Sequence, residues 1–154
     1  MRRKDRELTM VTDLLQIVNK CKVCRISFVD GERPYIVPLN FGYTYKDGQM
    51  TLYFHGALAG HKLELAGAGK IAAFEMDCDH ALVPAEDACH HSYRYASVCG
   101  FGSCTVVLDP KERLMGLKHI VIHQTGQLFE FNETMVENTA VFKIVVDEMT
   151  GKLH

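Results

Sequence analysis

The sequence predicts a mainly β fold: a small antiparallel barrel with helices inserted between its strands. Three observations carry this. Two Asp-Gly steps, Asp30-Gly31 and Asp47-Gly48, each separate runs of alternating character, the pattern of a β-hairpin. About six strand-like runs are spread along the chain, with three or four helical patterns between them. Gly100 and Gly102 interrupt the longest run, as a strand turning a barrel corner requires. With 154 residues the chain is expected to be one domain, 1–154, with residues 1–20 as an N-terminal helical extension.

Taken in order, residues 1–8 are charged and expected to be loose. Leu8, Val11, Leu14, Leu15 and Val18 recur at helical spacing, so about 8–20 reads as an amphipathic helix, with Thr9 or Thr12 as its cap. From Lys22 the period becomes two, and Cys24, Ile26 and Phe28 share a face of a strand ending at Asp30-Gly31. Pro34 to Tyr45 reads as one long strand with Tyr35, Val37, Leu39, Phe41, Tyr43 and Tyr45 on one face. Pro38 places it at a sheet edge or bulge, because proline cannot donate to a ladder. After Asp47-Gly48 comes a strand through Thr51, Tyr53 and Phe54, and the three successive strands suggest a meander. A short helix with Leu58, Leu63 and Leu65 follows, then a strand over Lys70–Asp77 and a polar loop over 78–91. Ser92 to Leu108 is the long glycine-interrupted strand. Asp109-Pro110-Lys111-Glu112 is a capping box opening a helix to about His123. A short helix near Asn132–Asn138 and a last strand, Ala140 to Val146, complete the pattern.

Bulk composition excludes several classes. Seventeen basic against nineteen acidic residues leave a formal charge of −2 and no electrostatic case for nucleic acid. No apolar run approaches the ~20 residues needed to span a bilayer, and no signal-peptide pattern opens the chain, so a cytoplasmic location is expected. Six cysteines then read as reduced thiols, with Cys99 and Cys104 as small hydrophobes in an apolar stretch. Cys21-x-x-Cys24 opens a strand rather than following one, which disfavours a redox motif. His119 and His123 have the i, i+4 spacing of a zinc pair without its glutamate, and the Cys78–His91 loop fits no standard zinc spacing. No metal is expected.

The stretch with the most chemical potential is Tyr53-Phe-His-Gly-Ala57 through Gly60-His-Lys62. It reads as a strand, a turn and a helix start, where unpaired N–H groups and Lys62 favour an anion and Gly56 and Gly60 allow close approach. The competing reading is a polar connection with a solvated lysine. Beside it, Val37-Pro38-Leu39-Asn40 supplies free backbone groups and apolar walls. Together they suit a flat heteroaromatic ring with a phosphate tail, such as flavin mononucleotide.

Several ordered blocks also carry a family resemblance: Arg33 to Tyr43, Leu52 to Ala57, Gly60-His61-Lys62, Ser92 to Gly102, His123-Gln-Thr-Gly126 and Thr150-Gly-Lys152. With these the chain resembles the pyridoxamine 5′-phosphate oxidase-related flavin-binding family, and within it the 5-nitroimidazole resistance (Nim) proteins. The resemblance implies a split β-barrel homodimer with FMN (FAD is possible) at the subunit interface, and reduction of a nitro group to an amine. It implies that Val37, Pro38, Leu39 and Asn40 line the isoalloxazine ring, with His55, Gly56 and Ala57 near the ring or ribityl chain. His61 and Lys62 would hold the phosphate, and Ser97 and Val98 would border the site from the same or the partner subunit. His55 would be the catalytic residue, a protonated imidazole supplying a proton as general acid or stabilising developing negative charge. The implied partners are a small nitroaromatic acceptor and a reduced nicotinamide or protein electron donor. The arginine-rich C-terminal motif of vitamin B6 oxidases is missing, so that activity is not implied. A relative of the fold binds haem, which makes a non-catalytic flavin- or haem-binding module the alternative.

Overall fold

A computed structural model of the protein describes residues 3–154; Met1 and Arg2, the start of the segment expected to be loose, lie outside the described residues. The rest of that segment is ordered into structure. Lys4–Arg6 make one 3-10 turn, and a two-residue strand β1 (Glu7–Leu8) pairs with Lys152 and Gly151. Helix α1 (Val11–Lys20) starts at Met10 with no side-chain cap, so neither threonine plays that part. It lays Leu14, Ile17 and Val18 onto the sheet.

The remaining strands are β2 (Cys24–Asp30), β3 (Arg33–Leu39), β4 (Phe41–Lys46), β5 (Gln49–Gly56), β6 (Ile71–Val83), β7 (Ser92–Val106) and β8 (Ala140–Leu153). Helices α2 (His61–Gly67), α3 (Pro110–Thr125) and α4 (Glu133–Glu137) lie between them. The sheet runs β3-β2-β6-β7-β8-β5-β4, with every pairing antiparallel and β1 beside β8. Both Asp-Gly steps make two-residue hairpins. Asp47 and Gly48 both have positive φ (52° and 82°), as a type I′ turn demands, while Gly31 alone does so (61°) in the β2–β3 turn.

The expected long strand over Pro34–Tyr45 is two strands, and they do not form a meander. β3 and β4 are the opposite edges of the sheet, yet only Asn40 separates them in sequence. The two edges therefore meet at that residue, and the sheet curls into a barrel left split along this seam. Alternation runs on unbroken across it because both strands face the same interior: Tyr35, Val37, Leu39 and Tyr43 pack on the core and Phe41 is fully buried. The break itself has a side-chain cause. Asn40 Nδ2 donates to Lys22 O (2.9 Å) and Gln124 Oε1 (3.1 Å), drawing this residue out of either ladder.

The interior is filled by Phe41, Phe54, Phe142, Ile26, Leu52, Met76, Val98 and Ile144, all fully buried, with Phe54 and Phe142 stacked at 5.3 Å. A smaller cluster of Tyr53, Val107, Leu117, Ile120, Val136 and Val141 seats α3 and α4 on the outer face. Gly42 permits that seat: a Cβ there would lie 2.3 Å from the backbone of His119 and Ile120. At the expected corner, a Cβ on Gly102 would fall 2.0 Å from Val145 O, so β7 and β8 cross more closely than any side chain allows. Two strands outrun their sequence patterns. β6 continues through 78–83 beyond a bulge at Asp79 (φ 59°), which leaves 84–91 as the loop, and β8 continues past Val146 to Leu153 beyond an irregularity beside Asp147. A bulge flips the alternation, which hides the continuation from a period-two reading.

Candidate functional site

The barrel rim at the seam gathers most of the residues singled out from the sequence. Phe41–Phe54 is the last pair of the β4–β5 ladder, so the next positions on these strands are Asn40 and His55. His55 and Gly56 continue only against Val141 and Ala140 of β8. This leaves one side of β5 open where the histidine stands. The His55 side chain is exposed, yet desolvation by the protein around the ring, and secondarily the Lys62 charge, hold its pKa below 6.5.

Lys62 reaches the rim because residue 56 is glycine. A Cβ on Gly56 would lie 2.9 Å from Lys62 Cε and 3.2 Å from its Nζ, so the lysine folds back across bare β5 backbone. Among the described residues no carboxylate oxygen comes within 4.0 Å of that ammonium group. Ala57 and Gly60 lie exposed in the turn between β5 and α2, Gly60 with φ of 129°. Helix α2 is only seven residues long with no side-chain cap, so its dipole is slight beside the full charge of Lys62.

His61 faces elsewhere. Its Nε2 is 2.7 Å from Asp30 Oδ2, its Nδ1 is 3.5 Å from Glu64, and its ring meets Tyr35 edge-on at 5.2 Å. Asp30, and then Glu64, raise its pKa. This residue fastens α2 to the tip of the β2–β3 hairpin rather than standing free for an anion. The expected lining over 37–40 divides by parity: Val37 and Leu39 point into the core, while Pro38 and Asn40 are exposed. Only the latter two offer side chains to the rim; the others offer backbone.

Ser97 and Val98 are not brought to this rim within one chain. Val98 is fully buried in the core, and Ser97 lies on the outer face of β7 between Asp77 and Lys152. His55 pairs with Val141 and Ser97 with Lys152, positions eleven residues apart on β8. At ~3.3 Å per residue they are separated by about 35 Å of strand.

The motif His123-Gln124-Thr125-Gly126 turns out to hold the seam. His123, only 9% exposed, donates from Nε2 to Cys21 O (2.8 Å). Gln124 Nε2 donates to Phe41 O (2.9 Å) and Lys22 O (3.2 Å) while its Oε1 accepts from Asn40. Gly126 ends α3 in the left-handed conformation (φ 74°). From sequence these residues were a family mark and, for His123, half of an i, i+4 histidine pair; their structural part depends on partners far away in the chain. His119, the other half of the i, i+4 pair, stacks on Tyr53 at 6.0 Å. Among the described residues no group of three histidine, cysteine, aspartate or glutamate side chains is placed to hold a metal ion. Cys21 and Cys24 are buried, with burial pushing the Cys21 thiol up to about 12 and that of Cys24 upward as well. Cys104 is buried as expected, whereas Cys99 is exposed on the outer face. No helix is long and apolar enough to cross a membrane among the described residues. One cavity of about 340 Å³ lies on α3 and one of about 320 Å³ between α3 and α4, and neither is lined by the rim residues.

Comparison with known proteins places this geometry in context. The family model described as pyridoxamine 5′-phosphate oxidase matches residues 11–153. A Bacteroides thetaiotaomicron protein provisionally assigned to 5-nitroimidazole antibiotic resistance is 30% identical, with a TM-score of 0.81 over 96% of this chain and 86% of that one. Two more distant structures share the fold. A flavocytochrome from Azotobacter vinelandii has a TM-score of 0.81 at 18% identity, covering 100% of this chain and 72% of that one. A FAD- and haem-binding protein from Mycobacterium smegmatis has a TM-score of 0.82 at 20% identity, covering 96% and 73%. No curated protein sequence matches the chain significantly. A split barrel open at its seam, with a lysine that has no carboxylate partner among the described residues laid over a glycine at the rim, thus occurs in a chain that belongs to the pyridoxamine 5′-phosphate oxidase-related family.

Proposed function

We propose that the seam rim binds FMN, with FAD as the alternative flavin, and that the protein is an oxidoreductase reducing a nitro group of a small aromatic acceptor. The observation that carries this is the Gly56–Lys62 arrangement, in which a cation with no carboxylate partner among the described residues rests on backbone that lacks a Cβ. The chemistry of such a donor suits a phosphate. Pro38, the Val37–Asn40 backbone and the His55–Ala57 strand end would flank the ring and ribityl chain, and Lys62 would take the phosphate, with His61 holding α2 in place.

A bound flavin supplies the two-electron chemistry, accepting reducing equivalents from a reduced nicotinamide or a protein donor. The chain's part is orientation and proton handling. His55 has its pKa held down by burial, and secondarily by the Lys62 charge. It donates an N–H hydrogen bond to developing negative charge and takes up a proton more readily once an anion offsets Lys62. The distance between His55 and Ser97 along β8 supports a homodimer in which the second copy supplies Ser97 and the Val98 backbone. An exposed neutral histidine is also a fitting iron ligand, which favours a haem-binding module as the second reading.

The absorbance spectrum of the purified protein, with identification of the released chromophore, is the test. Flavin maxima and release of FMN on denaturation are expected. A Soret band would move the assignment to haem, and a colourless protein that takes up no added FMN would end it.

A further inference from the structure

Between α3 and α4 is a cavity of about 320 Å³ walled by Leu114, Phe131 and Val136. Arg113 lines it, and its charge is poorly met. Its Nη atoms reach only the carbonyls of Val136 and Val107, both at 3.5 Å, and its buried Nε has no acceptor among the described residues. A guanidinium group carries five donors and no means of losing its charge, so this is an incomplete environment. Carboxylates are close at hand but unused. Glu133 and Glu137 line the same cavity, one turn apart on α4, and among the described residues neither comes within 4.0 Å of a cation. The neighbouring Glu112 and Lys143, by contrast, are paired at 2.5 Å.

The cavity thus holds a guanidinium inside, two carboxylates and the Lys111 ammonium group on its exposed side and apolar walls between, with the charges held apart instead of paired. From this juxtaposition we infer that the α3–α4 cavity binds a small apolar zwitterion of the amino-acid class. Its carboxylate would meet Arg113, its ammonium group Glu133 and Glu137, and its apolar body Leu114, Phe131 and Val136. The volume is at the lower end of that of small-molecule sites, which fits a ligand of this size. The two rim carboxylates disfavour a dianion, and Arg113 disfavours a simple amine.

The test titrates L-phenylalanine, phenylacetate and phenethylamine separately into the full-length protein, following arginine Nε–H and methyl resonances. Saturable shifts at Arg113, Leu114 and Val136 are expected. L-phenylalanine should bind at least about ten-fold more tightly than either half-ligand, since each lacks one charge-assisted contact. Arg113→Gln should abolish the L-phenylalanine response. Absence of saturable shifts, equal binding by either half-ligand, or a folded Arg113→Gln variant with unchanged affinity would each overturn the proposal. Because the three-ligand comparison uses the unmodified protein, it decides the matter even if the variant does not fold.

Discussion

Lys62→Met separates the anion site from the rest of the rim. An ion pair in contact at about 4 Å is worth about 1 kcal/mol in bulk water and about 4 kcal/mol at an effective dielectric near 20. Lys62 is half-buried, lying along β5 backbone at Gly56, so a value between these limits, about 2 kcal/mol, is appropriate. That corresponds to about a 30-fold rise in the Kd for FMN. The fold should be nearly indifferent, because Lys62 has no carboxylate partner within 4.0 Å among the described residues and methionine keeps most of the aliphatic stem. Unfolding free energy is expected to change by no more than about 0.5 kcal/mol. The assay is fluorescence titration of apoprotein with FMN and, in parallel, with riboflavin, which has the same ring and no phosphate. Wild type and variant should differ for FMN and agree for riboflavin. Equal FMN affinity would remove Lys62 from the site, and an equal loss for riboflavin would show that the substitution disturbs the rim rather than the charge.

Other expectations concern the histidines and the seam. The His55 ring, titrated by proton NMR in the apoprotein, should have a pKa below 6.5 that rises when FMN binds and offsets Lys62; no movement on binding would place the phosphate elsewhere. His55→Ala should lower nitro-reducing turnover while changing the Kd for FMN less than about two-fold, and unchanged kinetics would remove its proton-handling part. Gln124→Ala removes bonds to Phe41, Lys22 and Asn40 and should cost about 2 kcal/mol, read as a Tm lower by roughly 4–8 °C. A Tm within a degree of wild type would mean the seam is held by packing alone. Burial is the leading cause holding His123, His55 and His119 below 6.5 in the folded chain, so the unfolded chain binds more protons beneath that pH. Stability should therefore be flat above about pH 7 and decline as pH drops through 6.5, with the decline shallower in His123→Gln; His61, exposed and shifted upward by Asp30, opposes this only weakly. A parallel decline in wild type and variant would show that His123 is not among the groups responsible.

The elements that depend on near neighbours in the chain were legible. Asp47-Gly48 can only turn with both residues at positive φ, and Asp109-Pro110 starts a helix by local geometry: Asp109 accepts from the amides of Lys111 and Glu112. Even there the expected reciprocal cap is incomplete, because the Glu112 carboxylate goes to Lys143 on a distant strand. The barrel class was also legible, since alternation, hairpin turns and corner glycines are all sequence patterns. The site was partly so. His55, Gly56 and Lys62 do meet, because a strand, a short turn and a helix start bring them together over eight residues.

What alternation cannot carry is which strand lies beside which. Tyr35 to Tyr45 keeps one parity throughout, so nothing in the period marks that the chain passes from one edge of the sheet to the other at Asn40; bonds to Lys22 and Gln124, remote in sequence, decide it. Parity alone likewise gives no direction for Val37 and Leu39 toward core or cleft, and no distance between Ser97 and His55. The sequence by itself determined the hairpin turns and the start of α3, because these follow from backbone sterics within a few residues. Strand order, the split seam, the use of His61 and the separation of Ser97 from His55 were decided by the tertiary structure, because each depends on a partner far away in the chain.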